Sequence, residues 1–312
     1  MELKHPWAIS GYRSFRLIGF TLVAVVVVFN PAAGRRRAQG LWRVLDVLLA
    51  NGVRLELAET SHAGHATILA RQAACKGASL VVAAGGDGTI AEVANGLIGQ
   101  RALLGIIPLG TANVLARELA LPFAPDAIAA ALAFRRTRTL WPGLARRPGG
   151  ELLFVQMLGV GFDAQVVHQL SLPLKRVLGR GAYVFQTLRE LARYPFQPIR
   201  MCIDGKDVVA GSAIVSKGRL YAGPYTLAPD AVPTEPGFHV ALFHRSGPAA
   251  TLVYGAALPL HLLPKVPGVT LMRARHIEML GTSVPAQADG DPAGHTPLTI
   301  MDAPAPLQVV VG

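Results

Sequence analysis

The stretch Leu80-Val-Val-Ala-Ala-Gly-Gly-Asp-Gly-Thr89 decides the architecture. Leu80 to Ala84 is a short apolar run of the kind that forms a strand buried on both faces. It leads straight into Gly85-Gly86-Asp87-Gly88-Thr89, and a helix-like segment from Ile90 to Ile98 follows. Three glycines in a strand-to-helix turn leave backbone N–H groups facing outward to meet an anion. They also let a phosphate approach closer than any Cβ would permit. Asp87 would repel a phosphate directly. In a surface loop it makes sense as the holder of a metal ion, or of water, that bridges to phosphates. Thr89 adds a hydroxyl where the helix begins. Taken alone, the stretch also reads as a tight turn with an N-capping residue.

Working outward, strand and helix alternate from Thr21 to about Leu132. Leu22–Phe29 reads as a strand. Ala38–Ala50 reads as a helix, with Leu41, Val44, Leu45 and Leu48 at helical spacing and Asn51-Gly52 as its stop. Val53–Leu57 is a second strand, Gly64–Gly77 a helix and Leu80–Ala84 a third strand. Ala91–Ile98 is a helix, Leu103–Ile107 a fourth strand, and Asn113–Leu119 a short helix ending before Pro122. This rhythm predicts an open parallel sheet covered by helices. Ligands of such sheets sit at the carboxyl ends of the strands. Asn30, Thr60, Gly85–Thr89 and Gly110–Asn113 all fall there, four polar or Gly-rich clusters on one edge.

Beyond Arg147 the rhythm changes to short strands separated by Gly, Pro and Asp turns. They are Leu152–Leu158, Ile199–Ile203, Ser212–Ser216, Gly237–Phe243, Val269–Ala274, Ile277–Leu280 and Leu307–Val311. One helix-like interlude, about Pro173–Tyr194, interrupts them. The division expected is an α/β nucleotide-binding domain over residues 16–146 and a β-rich, sandwich-like domain over 147–312, whose last strand is free to return to the first. A chain of 312 residues, 51% hydrophobic, suffices for two cores.

The formal net charge of +11 points to anionic partners such as nucleotides or anionic membranes. No helix-turn-helix, zinc-finger or RNP pattern is present, so nucleic acid is not an expected partner. Cys75 and Cys202 lack metal-binding spacing and suit a reducing cytosol. His62 and His65 have no carboxylate or cysteine beside them at zinc-ligand spacing. The apolar run Leu17–Phe29 is too short and too valine-rich for a membrane helix and leads into a turn at Asn30-Pro31, so it reads as a buried strand. The first fifteen or so residues read as a loose extension.

A second strand-to-helix junction, Ile107-Pro-Leu-Gly-Thr-Ala-Asn113, follows the first by about twenty residues and reads as the other wall of one pocket. Asn30-Pro31…Gly34-Arg35-Arg36-Arg37 supplies an amide, a turn and three cations for phosphates. With Gly159-Val-Gly-Phe-Asp-Ala164 and Asp289-Gly290-Asp291, these motifs, from Val23 to Val311, resemble the bacterial diacylglycerol kinase family of lipid kinases. That family shares its nucleotide-binding core with sphingosine and ceramide kinases and, more distantly, with NAD kinases and phosphofructokinases.

The resemblance implies that ATP, with Mg²⁺, lies in a cleft between the two domains. The implied nucleotide contacts are Asn30, Pro31, Arg35, Thr60, Gly85, Gly86, Asp87, Gly88, Thr89, Glu92, Thr111 and Asn113, with Asp87 reaching the ATP-bound Mg²⁺. It implies that an acidic residue of Asp289-Gly290-Asp291 accepts the proton of a lipid hydroxyl as it attacks the γ-phosphorus, which makes Asp289, Asp291 and Asp87 the catalytic set. The chain departs from the family pattern in three places. Asp291 stands where relatives carry glutamate. Leu140-Trp141-Pro142-Gly143 replaces an Asp-Leu-Gly. Pro233-Thr234-Glu235-Pro236-Gly237 replaces an aspartate-bearing turn that holds a structural Mg²⁺, leaving Glu235 as its only carboxylate.

The interlude carries Lys175, Arg176, Arg180, Arg189 and Arg193 among Leu174, Val177, Leu178, Tyr183, Val184, Phe185, Leu188 and Leu191. An apolar face with a basic rim suits the surface of an anionic membrane. The expectation is a cytoplasmic, peripherally membrane-associated kinase acting on diacylglycerol or a sphingoid or ceramide-like lipid, with a homodimer left open. The competing readings are a soluble NAD kinase-like enzyme and a non-catalytic nucleotide- or lipid-binding protein.

Overall fold

The computed structural model describes residues 25–32, 38–170, 180–281 and 283–312. The first unit runs β1 (Val25–Phe29), α1 (Ala38–Ala50), β2 (Leu55–Glu59), α2 (His65–Cys75), β3 (Leu80–Gly85), α3 (Asp87–Leu97), β4 (Leu103–Pro108), α4 (Val114–Glu118), α5 (Pro125–Phe134) and β5 (Arg136–Leu140). Every residue of β1 and β3 is buried, as strands covered on both faces must be. One face of the sheet packs on Ala66, Ala70 and Ala73 of α2 and on Ile90, Val93 and Leu97 of α3. The other packs on Leu41, Val44 and Leu48 of α1 and on Ile128 and Leu132 of α5.

The second unit comprises β6 (Gly143–Arg147), β7 (Gly150–Phe154), β8 (Met157–Val160), α6 (Phe162–Gln169), α7 (Arg180–Leu191), β9 (Ile199–Ile203), β10 (Lys206–Ala210), β11 (Ser212–Ser216), β12 (Leu220–Tyr221), β13 (Tyr225–Thr226), β14 (Phe238–Phe243), α8 (Pro248–Ala257), β15 (Val269–Ala274), β16 (Ile277–Leu280), β17 (Pro285–Ala288), β18 (Asp291–His295) and β19 (Leu298–Asp302). Two six-stranded sheets, β10-β9-β16-β19-β6-β7 and β15-β14-β11-β8-β17-β18, enclose a core that includes Phe154, Leu158, Met201, Val240, Ile277 and Ile300. Alternation within β9, with Ile199, Met201 and Ile203 buried and Arg200 exposed, is what one covered face requires.

The last strand, β20 (Leu307–Val311), leaves this unit and joins the first sheet, whose order is β2-β1-β3-β4-β20-β5. It lies parallel to β4 and pairs antiparallel with β5 from Leu307↔Leu140 to Val311↔Arg136.

Several elements differ from the sequence reading. Leu152–Leu158 is two strands, broken at Val155 and Gln156, because Asp289 takes up the backbone N–H groups of that segment. The third helix starts at Asp87 rather than at Ala91, so the Gly-rich loop is itself the helix's first turn. Helices α5, α6 and α8 lie where no helix is expected from the sequence. The helix of the interlude covers Arg180–Leu191. Leu174, Lys175, Arg176, Val177 and Leu178 lie outside the described residues, as do Arg35, Arg36, Arg37 and the N-terminal extension.

Candidate functional site

The carboxyl ends of β1, β3 and β4 converge. Leu109 N donates to Gly85 O (2.8 Å), locking the second loop onto the first. The two loops touch backbone to backbone: a Cβ on Gly110 would stand 2.6 Å from Gly86 Cα. Only glycine at position 110 permits this approach. Asn113 adopts a left-handed conformation (φ 48°) and donates from Nδ2 to Gly110 O (2.9 Å). Its Oδ1 is buried without a hydrogen-bond partner among the described residues.

Asn30 Nδ2 donates to Thr89 Oγ1 (3.1 Å), and Asn30 Oδ1 accepts from Ala32 N (2.9 Å). Thr89 is buried and lies against Gly85, so its hydroxyl ties β1 to α3. Thr60 closes β2 onto β1 by donating its N–H to Phe29 O (2.9 Å). Pro31 and Thr111 are exposed beside the loops. Glu92 points elsewhere. Its carboxylate accepts from Gly64 N (2.8 Å) and Ala66 N (3.1 Å), capping the start of α2.

The sequence places Asp87 in a surface loop, but it is half-buried and its carboxylate turns toward the second loop. Oδ1 accepts from Val114 N (2.6 Å) at the start of α4, tying the two loops together. Burial raises its pKa, opposed by backbone N–H groups of Val114, Leu115 and Asn113.

Asp289 and Asp291 bracket Gly290 in the turn from β17 to β18. Asp289 has a left-handed backbone (φ 50°). Its carboxylate accepts from Val155 N (2.7 Å), Gln156 N (2.9 Å) and Met157 N (2.9 Å). Burial pushes its pKa up to about 7, the three N–H groups pull the other way, and the nearby Asp87 charge adds to the rise. Asp289 therefore builds the domain junction. Asp291 is exposed, and its Oδ2 lies so near Gly88 that a Cβ there would collide with it. The β-rich unit thus sets a carboxylate directly on the Gly-rich loop.

Side chains to which the sequence reading assigns no role hold this turn. Gln287 Oε1 accepts from Gly290 N (2.9 Å), and Gln287 Nε2 donates to Asp163 Oδ2 (2.9 Å). Tyr221 donates its hydroxyl to Asp163 Oδ1. Burial raises the Asp163 pKa, against the two donors. Across the domain junction, buried Glu118 of α4 accepts from Arg219 Nε (3.0 Å) and Leu220 N (2.8 Å). The available signal was a glutamine inside the apolar Pro285–Ala288 run and an aspartate closing Gly159-Val-Gly-Phe-Asp: polar groups in buried strands need partners.

An ion carried by ATP keeps several waters and needs one or two protein carboxylates. Among the described residues no group of three or more His, Cys, Asp or Glu side chains could hold a metal. The turn of Glu235 does not fit a structural Mg²⁺. Glu235 O (3.3 Å), Gly237 O (2.7 Å) and Asp302 Oδ1 (2.8 Å) all accept from Lys217 Nζ, whose side chain is fully buried. Glu235 contributes its backbone carbonyl there.

Helix α7 is inverted relative to an ordinary surface helix. Gln186 and Glu190 are buried, whereas Val184 (63%), Phe185 (54%) and Leu188 (57%) are exposed, beside exposed Arg189 and Arg193. Gln186 and Gln165 both donate to the Glu190 carboxylate. No helix among the described residues is long and apolar enough to cross a membrane.

Comparison with known proteins agrees with this geometry. Residues 24–143 match the diacylglycerol kinase catalytic domain, and residues 156–311 match the YegS C-terminal NAD kinase beta sandwich-like domain. A Pseudomonas putida protein named "Probable lipid kinase YegS-like" is 30% identical over 83% of this chain and 86% of its own length. The diacylglycerol kinase of Mycobacterium tuberculosis is 29% identical over 92% of this chain and 94% of its own. A crystal structure of a diacylglycerol kinase from Bacillus anthracis superposes with a TM-score of 0.68, covering 94% of this chain and 98% of that one at 20% identity, which speaks to the fold. With both domains matched and the Gly-rich loop meeting the Asp289–Asp291 turn across their junction, the chain belongs to the diacylglycerol kinase family of lipid kinases.

Proposed function

We propose that this protein transfers the γ-phosphoryl group of ATP to a hydroxyl of diacylglycerol, or of a related sphingoid or ceramide-like lipid, at an anionic membrane surface. The observation that carries the reading is the Asp291 carboxylate lying on Gly88. ATP phosphates would rest on the N–H groups of the Gly86–Thr89 turn, where the positive end of α3 favours negative charge. The lipid hydroxyl, brought between that loop and Asp291, gives its proton to the carboxylate as its oxygen bonds to the γ-phosphorus. The bond from the γ-phosphorus to the β–γ bridging oxygen breaks, and ADP leaves. Mg²⁺ bound to the nucleotide supplies charge neutralisation. Asp87 and Asp289, both enclosed by backbone N–H groups, hold the two walls in register.

The inverted helix α7 supports the membrane part of the reading. Exposed Val184, Phe185 and Leu188 enter an apolar phase at a gain, and each cation near an anionic surface adds roughly 1 kcal/mol.

The test is transfer of label from γ-³²P-ATP to vesicles containing diacylglycerol, sphingosine or ceramide, with NAD offered in parallel. Label in the lipid phase, lost in Asp291→Asn, is expected. Label in NAD alone, or none in any lipid, would overturn the proposal.

A further inference from the structure

Lys217 follows β11 and is buried, yet its ammonium meets a complete set of acceptors. Its three hydrogens are matched by Glu235 O, Gly237 O and Asp302 Oδ1. The face of Phe238, 4.6 Å from Nζ, closes a fourth side. Asp302 Oδ2 is bound in turn by Gly237 N (2.7 Å). Two backbone carbonyls of one tight loop and a carboxylate from β19, in the facing sheet, are oxygen donors of the kind a hard cation takes.

The same loop is tied into the domain junction. Trp141 N donates to Pro233 O (2.9 Å), and Ala303 N, next to Asp302, donates to Pro142 O (2.9 Å). Lys217 N donates to Gln156 O (2.8 Å), and Gln156 N donates to Asp289. The cation therefore stands where the loop, the junction segment and the residue beneath the Asp289–Asp291 turn meet.

We infer that Lys217 is an internal cation that takes the place of a structural divalent ion in this domain, so that the nucleotide-free protein needs no metal to organise the loop at Glu235. The sequence departures are then coupled. The turn at Thr234–Pro236 keeps a single acid, Glu235, which offers Lys217 its backbone carbonyl, and one ammonium balances the one carboxylate bonded to it, Asp302. Three donors also leave no oxygen of the shell facing an empty position.

The experiment is thermal unfolding of the full chain without nucleotide, in EDTA and in Mg²⁺ or Ca²⁺, with calorimetric titration of each ion. For wild type, the midpoint should be the same in all three and no binding heat should appear. In Lys217→Asn the shorter amide leaves the carbonyls and Asp302 open to an ion. Its midpoint should be lowered in EDTA and recover with Ca²⁺ or Mg²⁺. A site held near saturation typically raises the midpoint by roughly 5–10 °C. A wild-type midpoint that rises by that amount with either ion, or a Lys217→Asn midpoint equal to wild type in EDTA, would overturn the inference. Should Lys217→Asn fail to fold, the wild-type titration still decides. Because ATP is absent throughout, the outcome is independent of whether the protein phosphorylates lipid.

Discussion

Gly88→Ala is the sharpest perturbation of the proposed site. Alanine is the better helix former, and Gly88 lies in the first turn of α3 without a positive φ, so local structure should tolerate or favour the change. The obstacle is tertiary. The new Cβ would fall inside the van der Waals envelope of Asp291 Oδ2, with no other residue among its nearest atoms. Restoring ordinary contact moves that carboxylate back by roughly 1 Å, or turns it away. A misplacement of that size in a positioned group costs on the order of 10²-fold in rate, about 2.7 kcal/mol of barrier. The assay is lipid phosphorylation under saturating ATP, with nucleotide affinity and thermal midpoint measured in parallel. Turnover should fall about a hundredfold while the midpoint holds. In an Asp291→Asn background the same change should add little, because the two substitutions remove one interaction. Wild-type turnover in Gly88→Ala, or full additivity with Asp291→Asn, would refute the claim that the reaction depends on Asp291 resting on this loop.

Asp87→Ala should destabilise the fold by about 1–3 kcal/mol, read from denaturant midpoints, because it strips an acceptor from the start of α4; unchanged stability would mean that the cap is unimportant. Asp289 has a folded-state pKa raised to about 7, so the native state prefers its protonated form. Its contribution to stability is complete below about pH 4 and is lost as pH rises through 7. Asp289→Asn should flatten that part of the stability–pH curve, and an identical slope in both proteins would count against it. Asp291→Asn should lower turnover on the order of 10²-fold with ATP affinity little changed, and Asp291→Glu should be tolerated. Replacing Val184, Phe185 and Leu188 together by serine should weaken binding to anionic vesicles but leave ATP binding intact; undiminished sedimentation with vesicles would remove α7 from the membrane surface.

The parallel sheet and the loops at its carboxyl edge were legible because they rest on local signals. Apolar runs set β1, β3 and β4, and Gly, Asn and Thr mark the turns that follow. The strands Ile199–Ile203, Ser212–Ser216, Val269–Ala274, Ile277–Leu280 and Leu307–Val311 coincide with the observed ones because alternation and flanking turns are equally local. What could not be read is the direction in which polar side chains point. Asp87 and Glu92 look alike in sequence, as two acids of one Gly-rich stretch, yet one caps α4 and the other caps α2. Neither partner is near in the chain. The break in Leu152–Leu158 has the same origin, since its cause is a carboxylate more than 130 residues away. Lys217, between Ser216 and Gly218, carries no local sign of its burial; only Asp302, 85 residues on, shows why it is buried.

The chemistry assigned to Asp291 also bears on why its turn is held so tightly. A base acts only from within hydrogen-bond reach of the proton it takes, and aspartate has one methylene fewer than the glutamate of the family pattern. Its carboxylate must therefore be carried to the reacting oxygen by the backbone. The structure supplies that support in sequence: Tyr221 and Gln287 fix Asp163, Gln287 fixes Gly290, and Asp289 is fixed by three N–H groups of the strand break. A short side chain on a rigid turn has less freedom to lose than a longer one on a loose turn. On this argument Gln287→Met, which removes the bonds to Gly290 and Asp163 together while keeping a similar volume, should lower turnover without changing ATP affinity. Combining it with Asp291→Glu should restore part of the loss, since the longer side chain no longer needs the turn held in place. A Gln287→Met protein with wild-type turnover would show that Asp291 is positioned by the loop contact at Gly88 alone.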